Sequence, residues 1–154
     1  MNHESGTWKL AGSRAIRAIF ASLLLALTAC AATPGTDQGL RDGMDRFRTA
    51  FNKKDAAGVA SMYLPDGKIL PPGRPMITGT EGIRSYWQAA FDAGVQRIAK
   101  KPVDIMLSGD LGVETSTYSV IFKDQEILGK DTLIWRRGPN NVWSIASDIW
   151  NSDK

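Results

Sequence analysis

Asp131, Asp148 and Tyr118 are the side chains whose types and spacing best suit proton transfer in this 154-residue chain. The competing chemistries are few. The single histidine is His3 and the single cysteine Cys30, so neither imidazole nor thiol occurs after residue 30. Ser-His and Cys-His nucleophile pairs and the usual zinc ligand sets are thereby excluded. Acid-base work falls to Asp, Glu, Tyr, Lys or water. No Gly-rich phosphate loop follows a strand, because Pro72-Gly73-Arg74-Pro75 carries prolines where backbone donors would be needed. The expectation is for no metal and no cofactor.

The three residues fall together by strand alternation. Glu114, Ser116, Tyr118 and Val120 share one face of a strand, and Val113, Thr115, Thr117, Ser119 and Ile121 the other. Asp131, Leu133 and Trp135 share a face in the next strand, and Ser144, Ala146, Asp148 and Trp150 in the last. With turns centred on Asp124-Gln125 and Pro139-Asn140, Tyr118 lies opposite Asp131 and Asp131 opposite Asp148. Two carboxylates so close cannot both ionise cheaply, so one would hold a proton into the neutral range and donate while its partner accepts. Glu114, further along the face, is a reserve candidate. The alternative is a wet sheet edge of solvated side chains, or neutralisation by Lys68, Lys130 or an arginine.

These strands need a scaffold. Leu40, Met44, Phe47 and Phe51 recur at helical spacing and predict a first helix ending near Lys53-Lys54. Asp55 is placed to N-cap a shorter helix that turns Val59, Met62 and Tyr63 inward. Pro65-Asp66-Gly67 predicts a turn into a short strand at 68–70. Thr78 and Glu81 have capping-box spacing, opening a helix with Ile83, Trp87, Ala90 and Phe91 on one face and Gly94 at its end. Val103, Ile105 and Leu107 then alternate, and strands are predicted over 113–122, 127–137 and 142–150. Three helices before an antiparallel meander give an α+β domain with helices on one sheet face. The other face, with Thr115, Thr117, Ile121, Ile134, Trp143, Ile145 and Ile149, is apolar enough to want a cover, most simply a homodimer.

Residues 1–29 read as a secretory signal: Lys9, Arg14 and Arg17 form a basic n-region, and Ile19 to Leu27 an apolar run too short to span a bilayer. Leu27-Thr28-Ala29-Cys30 resembles the lipobox of bacterial lipoproteins, which implies lipidation of Cys30 and a membrane contact through that lipid. An ordinary Ala-x-Ala cut is the alternative. Ala31, where the inner-membrane retention signal has aspartate, implies the outer membrane, with the chain facing the periplasm. Residues 30–38 form the lipidated cysteine and a flexible tether, and residues 39–154 one domain. Cleavage would leave 16 of the 19 basic and 15 of the 16 acidic residues. A near-neutral domain has no electrostatic footprint for nucleic acid.

Ala50 to Asp55, Met62-Tyr63-Leu64-Pro65-Asp66 with Gly79 to Trp87, and Leu133 to Arg137 with Trp143 to Trp150, in this order, resemble the nuclear transport factor 2-like superfamily in its SnoaL-like and ketosteroid-isomerase-like branch. The resemblance covers nearly the whole domain. It implies a cone whose strongly curved sheet wraps the helices and opens into a pocket lined by the Glu114, Ser116, Tyr118 face. Glu114, Ser116 and Leu133 are then candidate ligand contacts. Tyr63, Trp87, Phe91, Trp135 and Trp150 are either a ligand-stacking cage or core, with Trp150 at the pocket mouth. On the ketosteroid isomerase pattern, the general base falls on Pro71, the tyrosine donor on Phe47 and the protonated aspartic acid on Leu133. None of these can move a proton. The implied function is binding of a small apolar or amphipathic molecule. A cofactor-free isomerase, dehydratase or cyclase using the Asp131, Asp148 and Tyr118 row, or a dimerising accessory subunit of an envelope complex, are the alternatives.

Overall fold

The computed structural model describes residues 37–153. The expected signal peptide, Cys30 and residues 31–36 of the expected tether lie outside the described residues. Helix α1 (Asp37–Asn52) buries Leu40, Phe47 and Phe51 along one stripe, so the folded domain begins inside the segment expected to be tether. Lys54 turns the chain at positive φ, and the Asp55 side chain accepts from Gly58 N at 2.8 Å to cap α2 (Ala56–Ala60). That helix stops sooner than expected. Tyr63 lies instead on strand β1 (Tyr63–Leu70), where it pairs with Ile145. Pro65 to Gly67 form a bulge in β1, which spares the sheet a proline in its hydrogen-bond ladder.

Thr78 closes the two-residue strand β2 (Ile77–Thr78) and does not cap α3 (Thr80–Ala93). Gly79 stands at the cap position and makes no side-chain bond, so the Thr78/Glu81 spacing was a coincidence of a strand running into a helix. Gly94 ends α3 in the left-handed conformation, φ 119°. Ile83, Trp87 and Phe91 then meet Phe51 of α1, with Phe51–Phe91 and Phe51–Trp87 edge-to-face at 5.1 and 5.3 Å.

The remainder is a meander: β3 (Val95–Ser108), β4 (Leu111–Phe122), β5 (Gln125–Arg137) and, after a 3-10 turn at Pro139–Asn141, β6 (Trp143–Ser152). The sheet order is β2-β1-β6-β5-β4-β3, antiparallel except for the parallel β1–β6 pair. The domain is thus α+β, a six-stranded curved and unclosed sheet with its helices on one face.

Three local irregularities shift the expected faces and partners. Lys123 and Asp124, at φ 48° and 64°, make a two-residue turn between Phe122 and Gln125, one position earlier than expected. Tyr118 therefore pairs with Gly129 and Asp131 with Ser116. A Cβ at Gly129 would overlap the Tyr118 ring, so only glycine leaves room for the tyrosine there. In β6, Ala146 is an extra residue between the Trp135–Ile145 and Ile134–Ser147 pairs. The alternation flips across it: Trp143 and Ile145 point into the core with Asp148 and Trp150, while Ser144 and Ala146 do not share their face. In β3, Val103 bulges between the Pro102–Ser116 and Asp104–Thr115 pairs and is 67% exposed, although the sequence put it on one face with Ile105 and Leu107. The outer sheet face keeps Ile134 and Ile149 but not Trp143 or Ile145.

Candidate functional site

The concave face of the sheet, α1 and α3 enclose a cavity of about 130 Å³. Its walls are the rings of Phe47, Phe51, Tyr86, Trp87, Tyr118 and Trp150, with Ala90, Val95, Ile98 and Val120 between them. Its polar lining is Lys100, Asp131 and Asp148. Trp150 stacks on Trp87 at 5.5 Å and meets Tyr86 at 5.9 Å, so the last strand closes one wall against α3.

Under this cavity runs a buried charge network. Lys100 Nζ lies 2.9 Å from Glu114 Oε1 and 2.9 Å from Asp131 Oδ2. The Ser116 hydroxyl donates to Glu114 Oε1 at 2.7 Å, and Trp135 Nε1 donates to Glu114 Oε2 at 3.0 Å. Glu114 is fully buried, so both of its oxygens are bound to protein donors. Asp148 stands apart from this network and accepts a 2.8 Å hydrogen bond from the Tyr63 hydroxyl. Among the described residues two buried polar atoms have no hydrogen-bond partner, Trp87 Nε1 and Asp131 Oδ1. The indole N–H lies near the Tyr63 oxygen without reaching bonding geometry, and Asp131 Oδ1 is the acceptor left without a hydrogen-bond partner.

The expected residues are brought together, but in other pairs. Asp131 lies opposite Trp150 and Asp148 opposite Leu133, so the two carboxylates are diagonal neighbours about 7–8 Å apart along the backbone. The tyrosine that bonds Asp148 is Tyr63 and not Tyr118. Asp131 and Asp148 are 8% and 4% exposed, so neither is a solvated edge residue. The cation among them is Lys100; Lys68 is exposed, and Lys130 pairs with Asp153 at the surface. Of the expected ligand contacts, Trp87 and Trp150 line the cavity. Tyr63, Glu114, Ser116, Leu133 and Trp135 lie beneath it, as bonded or packed supports. Phe91 is core.

Lys100 is the residue that sequence reasoning missed. The stretch 95–102 holds Arg97, Lys100 and Lys101, which reads as a solvated segment, and the strand was expected only from Val103. Ile98, Lys100 and Pro102 do alternate, and that weak signal extends β3 back to Val95.

Burial shapes the ionisation of these groups. It lifts Asp148 to about 7, reinforced by the charges of Asp131 and Glu114 and opposed by Lys100 and the Tyr63 bond. Asp131 is raised by burial against the pull of Lys100. Burial pulls Lys100 down, but Glu114, Asp131 and Asp148 outweigh it and hold the ammonium above its ordinary range. Tyr118 is pushed up to about 12 by burial and Asp131, and Tyr63 well above the usual range by burial and Asp148. Both phenols stay protonated at neutral pH. Asp148 is poised to change charge there while facing the cavity.

The SnoaL-like domain family matches residues 44–137, which spans α1 through β5 and includes Lys100, Glu114 and Asp131. The chain belongs to the SnoaL-like domain family. Its solved neighbours include a ketosteroid isomerase-like protein from Erwinia carotovora atroseptica, with 19% identity, TM-score 0.67, and coverage of 76% of this chain and 95% of that one. A candidate dehydratase of the NTF2-like family from Streptomyces avermitilis also has 19% identity and TM-score 0.67, over 79% and 99% of the two chains. An NTF2-like superfamily protein from Salmonella enterica serovar Typhimurium matches at 17% identity and TM-score 0.61, over 77% and 91%. At such identities the likeness is one of fold. No curated protein matches the chain. Of the residues on which the sequence expectation put the ketosteroid isomerase proton-moving groups, Phe47 lines the cavity as a ring and Leu133 is buried. The buried polar set of this SnoaL-like domain is drawn from β3, β4, β5 and β6.

Proposed function

We propose that the domain binds a small, mainly apolar molecule in the aromatic cavity and that Asp148 exchanges a proton with it, as in cofactor-free isomerases, dehydratases and cyclases. The observation that carries this reading is Asp148 itself: a buried carboxyl that lines an apolar cavity and titrates at about 7. Tyr63 holds its orientation. Lys100 keeps Asp131 and Glu114 paired, so that Asp148 is the group left to move a proton. Size limits the ligand. A cavity of about 130 Å³ compares with the roughly 150 Å³ that accommodates benzene, so it takes one ring and not four fused ones.

The test is carbon-bound hydrogen exchange of small cyclic ketones in heavy water, followed by NMR. Exchange by the wild type is expected to rise through about pH 7 as Asp148 ionises to its basic form. Asp148→Asn should lower it by about 100-fold or more. Equal exchange rates in the two proteins would remove Asp148 from the chemistry and leave binding alone.

We further propose that Cys30 is lipidated and holds the domain at the periplasmic face of the envelope, at the outer membrane. The Leu27-Thr28-Ala29-Cys30 pattern supports this. Metabolic labelling with palmitate should mark the wild type and not Cys30→Ser; equal labelling would sink the anchor.

The outer sheet face supports a homodimer. Ile134 and Ile149 are 38% and 44% exposed on it, and covering such side chains stabilises by up to about 1.5–3 kcal/mol each. Ile149→Glu should shift the protein to monomer in sedimentation velocity. Ile145, although on the expected outer face, is fully buried and is unsuited to this test. A wild type that is monomeric at micromolar concentration would refute the dimer.

A further inference from the structure

The charges around the cavity do not balance. Three carboxylates, Glu114, Asp131 and Asp148, surround one ammonium, Lys100, and all four are buried. Lys100 is closed on both sides by its 2.9 Å contacts, and Asp131, which lines the cavity, keeps one buried oxygen without a hydrogen-bond partner. An uncompensated negative charge in an apolar surrounding is costly, and a bound cation relieves it. The rings of Tyr86, Trp87 and Trp150 add negatively polarised faces to the same space.

An anion is disfavoured by this balance. A neutral molecule would leave the charge in place. A metal ion does not fit either: Lys100 occupies the space between Glu114 and Asp131, and among the described residues no group of three or more acidic, histidine or cysteine side chains is arranged to hold one. We propose that the ligand of this cavity is a small protonated amine of about one ring, whose charge rests between the lining carboxylates Asp131 and Asp148 and the aromatic walls. This rests on the ligand-binding reading above and names the chemical class of the ligand.

The proposal has a pH signature. Asp148 is faced by Tyr63 from β1, Lys100 from β3, Glu114 and Tyr118 from β4, Asp131 from β5 and Tyr86 from α3. The tyrosines remain neutral and Lys100 charged between pH 6 and 8, while Asp148 gains a proton on going from 8 to 6. That proton removes a negative charge from the cavity, so cation binding weakens as pH falls.

Benzylammonium and benzyl alcohol separate charge from shape, since both are one ring with a hydrogen-bond donor and the amine is protonated at both pH values. In calorimetric titrations of the purified full chain at pH 8, benzylammonium is expected to bind about tenfold more tightly than benzyl alcohol. That preference should shrink several-fold at pH 6. Asp131→Asn should shrink the preference for the amine at pH 8 several-fold. Benzyl alcohol binding as well as the amine at pH 8 would overturn the amine proposal and leave the ligand-binding reading standing. Failure of both compounds to bind at millimolar concentration would overturn both. A preference that is the same at pH 6 and pH 8 in the wild type would overturn the electrostatic argument without recourse to any variant.

Discussion

Asp148→Asn is expected to gain stability over the wild type as pH rises, by about 3 kcal/mol between pH 5 and pH 8. The folded protein holds Asp148 at about 7, whereas an unfolded aspartate titrates near 3.9. Between those values the folded state binds more protons than the unfolded state. The stability contributed by that proton is fully present below the unfolded value and is lost as pH rises through about 7. Above it the wild type carries a buried carboxylate held by one hydrogen bond, from Tyr63. Asparagine keeps an oxygen for Tyr63 and carries no charge at any pH, so its curve lacks this loss. Urea denaturation of both proteins at pH 5, 6.5 and 8 measures the gap. Parallel stability curves would mean that Asp148 titrates near its unfolded value, and would also weaken its assignment as the proton-transfer group. If that assignment holds, the same substitution trades proton transfer for stability, the expected sign for a functional group held against its own solvation.

Lys100→Met is expected to destabilise the protein by about 3–5 kcal/mol at pH 8, because it strands two buried carboxylates that share one ammonium. The loss should be larger than that from removing a core methylene of similar volume, and it should diminish in acid as the carboxylates take up protons. Glu114→Gln in the same chain is expected to recover part of it, since the Ser116 and Trp135 donors can still bond an uncharged oxygen there. Additive losses in the double variant would show that Lys100 and Glu114 are not energetically coupled. Near-neutral behaviour of Lys100→Met alone would show that water replaces the ammonium, and the charge argument for the cavity would fail with it.

Much of this molecule was legible in its residue order. The helical stripes of α1 and α3 and the alternation of β4 and β5 each follow from a period repeated over several turns or residue pairs. Such repetition survives local error, which is why Glu114, Ser116 and Tyr118 on one strand and Asp131, Leu133 and Trp135 on the next all face inward as expected. The signatures of the superfamily lie along the same elements, and the family match from residue 44 to 137 agrees with them.

What the linear pattern left undecided was which strand residue meets which. Pairing depends on the positions of single irregular residues. Lys123 and Asp124 adopt positive φ without a glycine to announce it, and the turn they form moves Tyr118 from Asp131 to Gly129. Ala146, an unremarkable residue in an alternating strand, is a bulge in the β5 pairing and lies opposite the irregular stretch of β1. That bulge sends Trp143 and Ile145 inward along with Asp148. Lys100 is the clearest case. Read alone it is a cation in a basic stretch, and its ordinary solvation would keep it at the surface. Only the assembled sheet places Glu114 and Asp131, from two other strands, within 2.9 Å of it and so compensates the cost of burying its charge. Composition and periodicity determined which chemistries were possible and which faces would be inward; the partners of each charge were decided by tertiary structure, because ion pairing across strands depends on register, and register is not a property of any one segment.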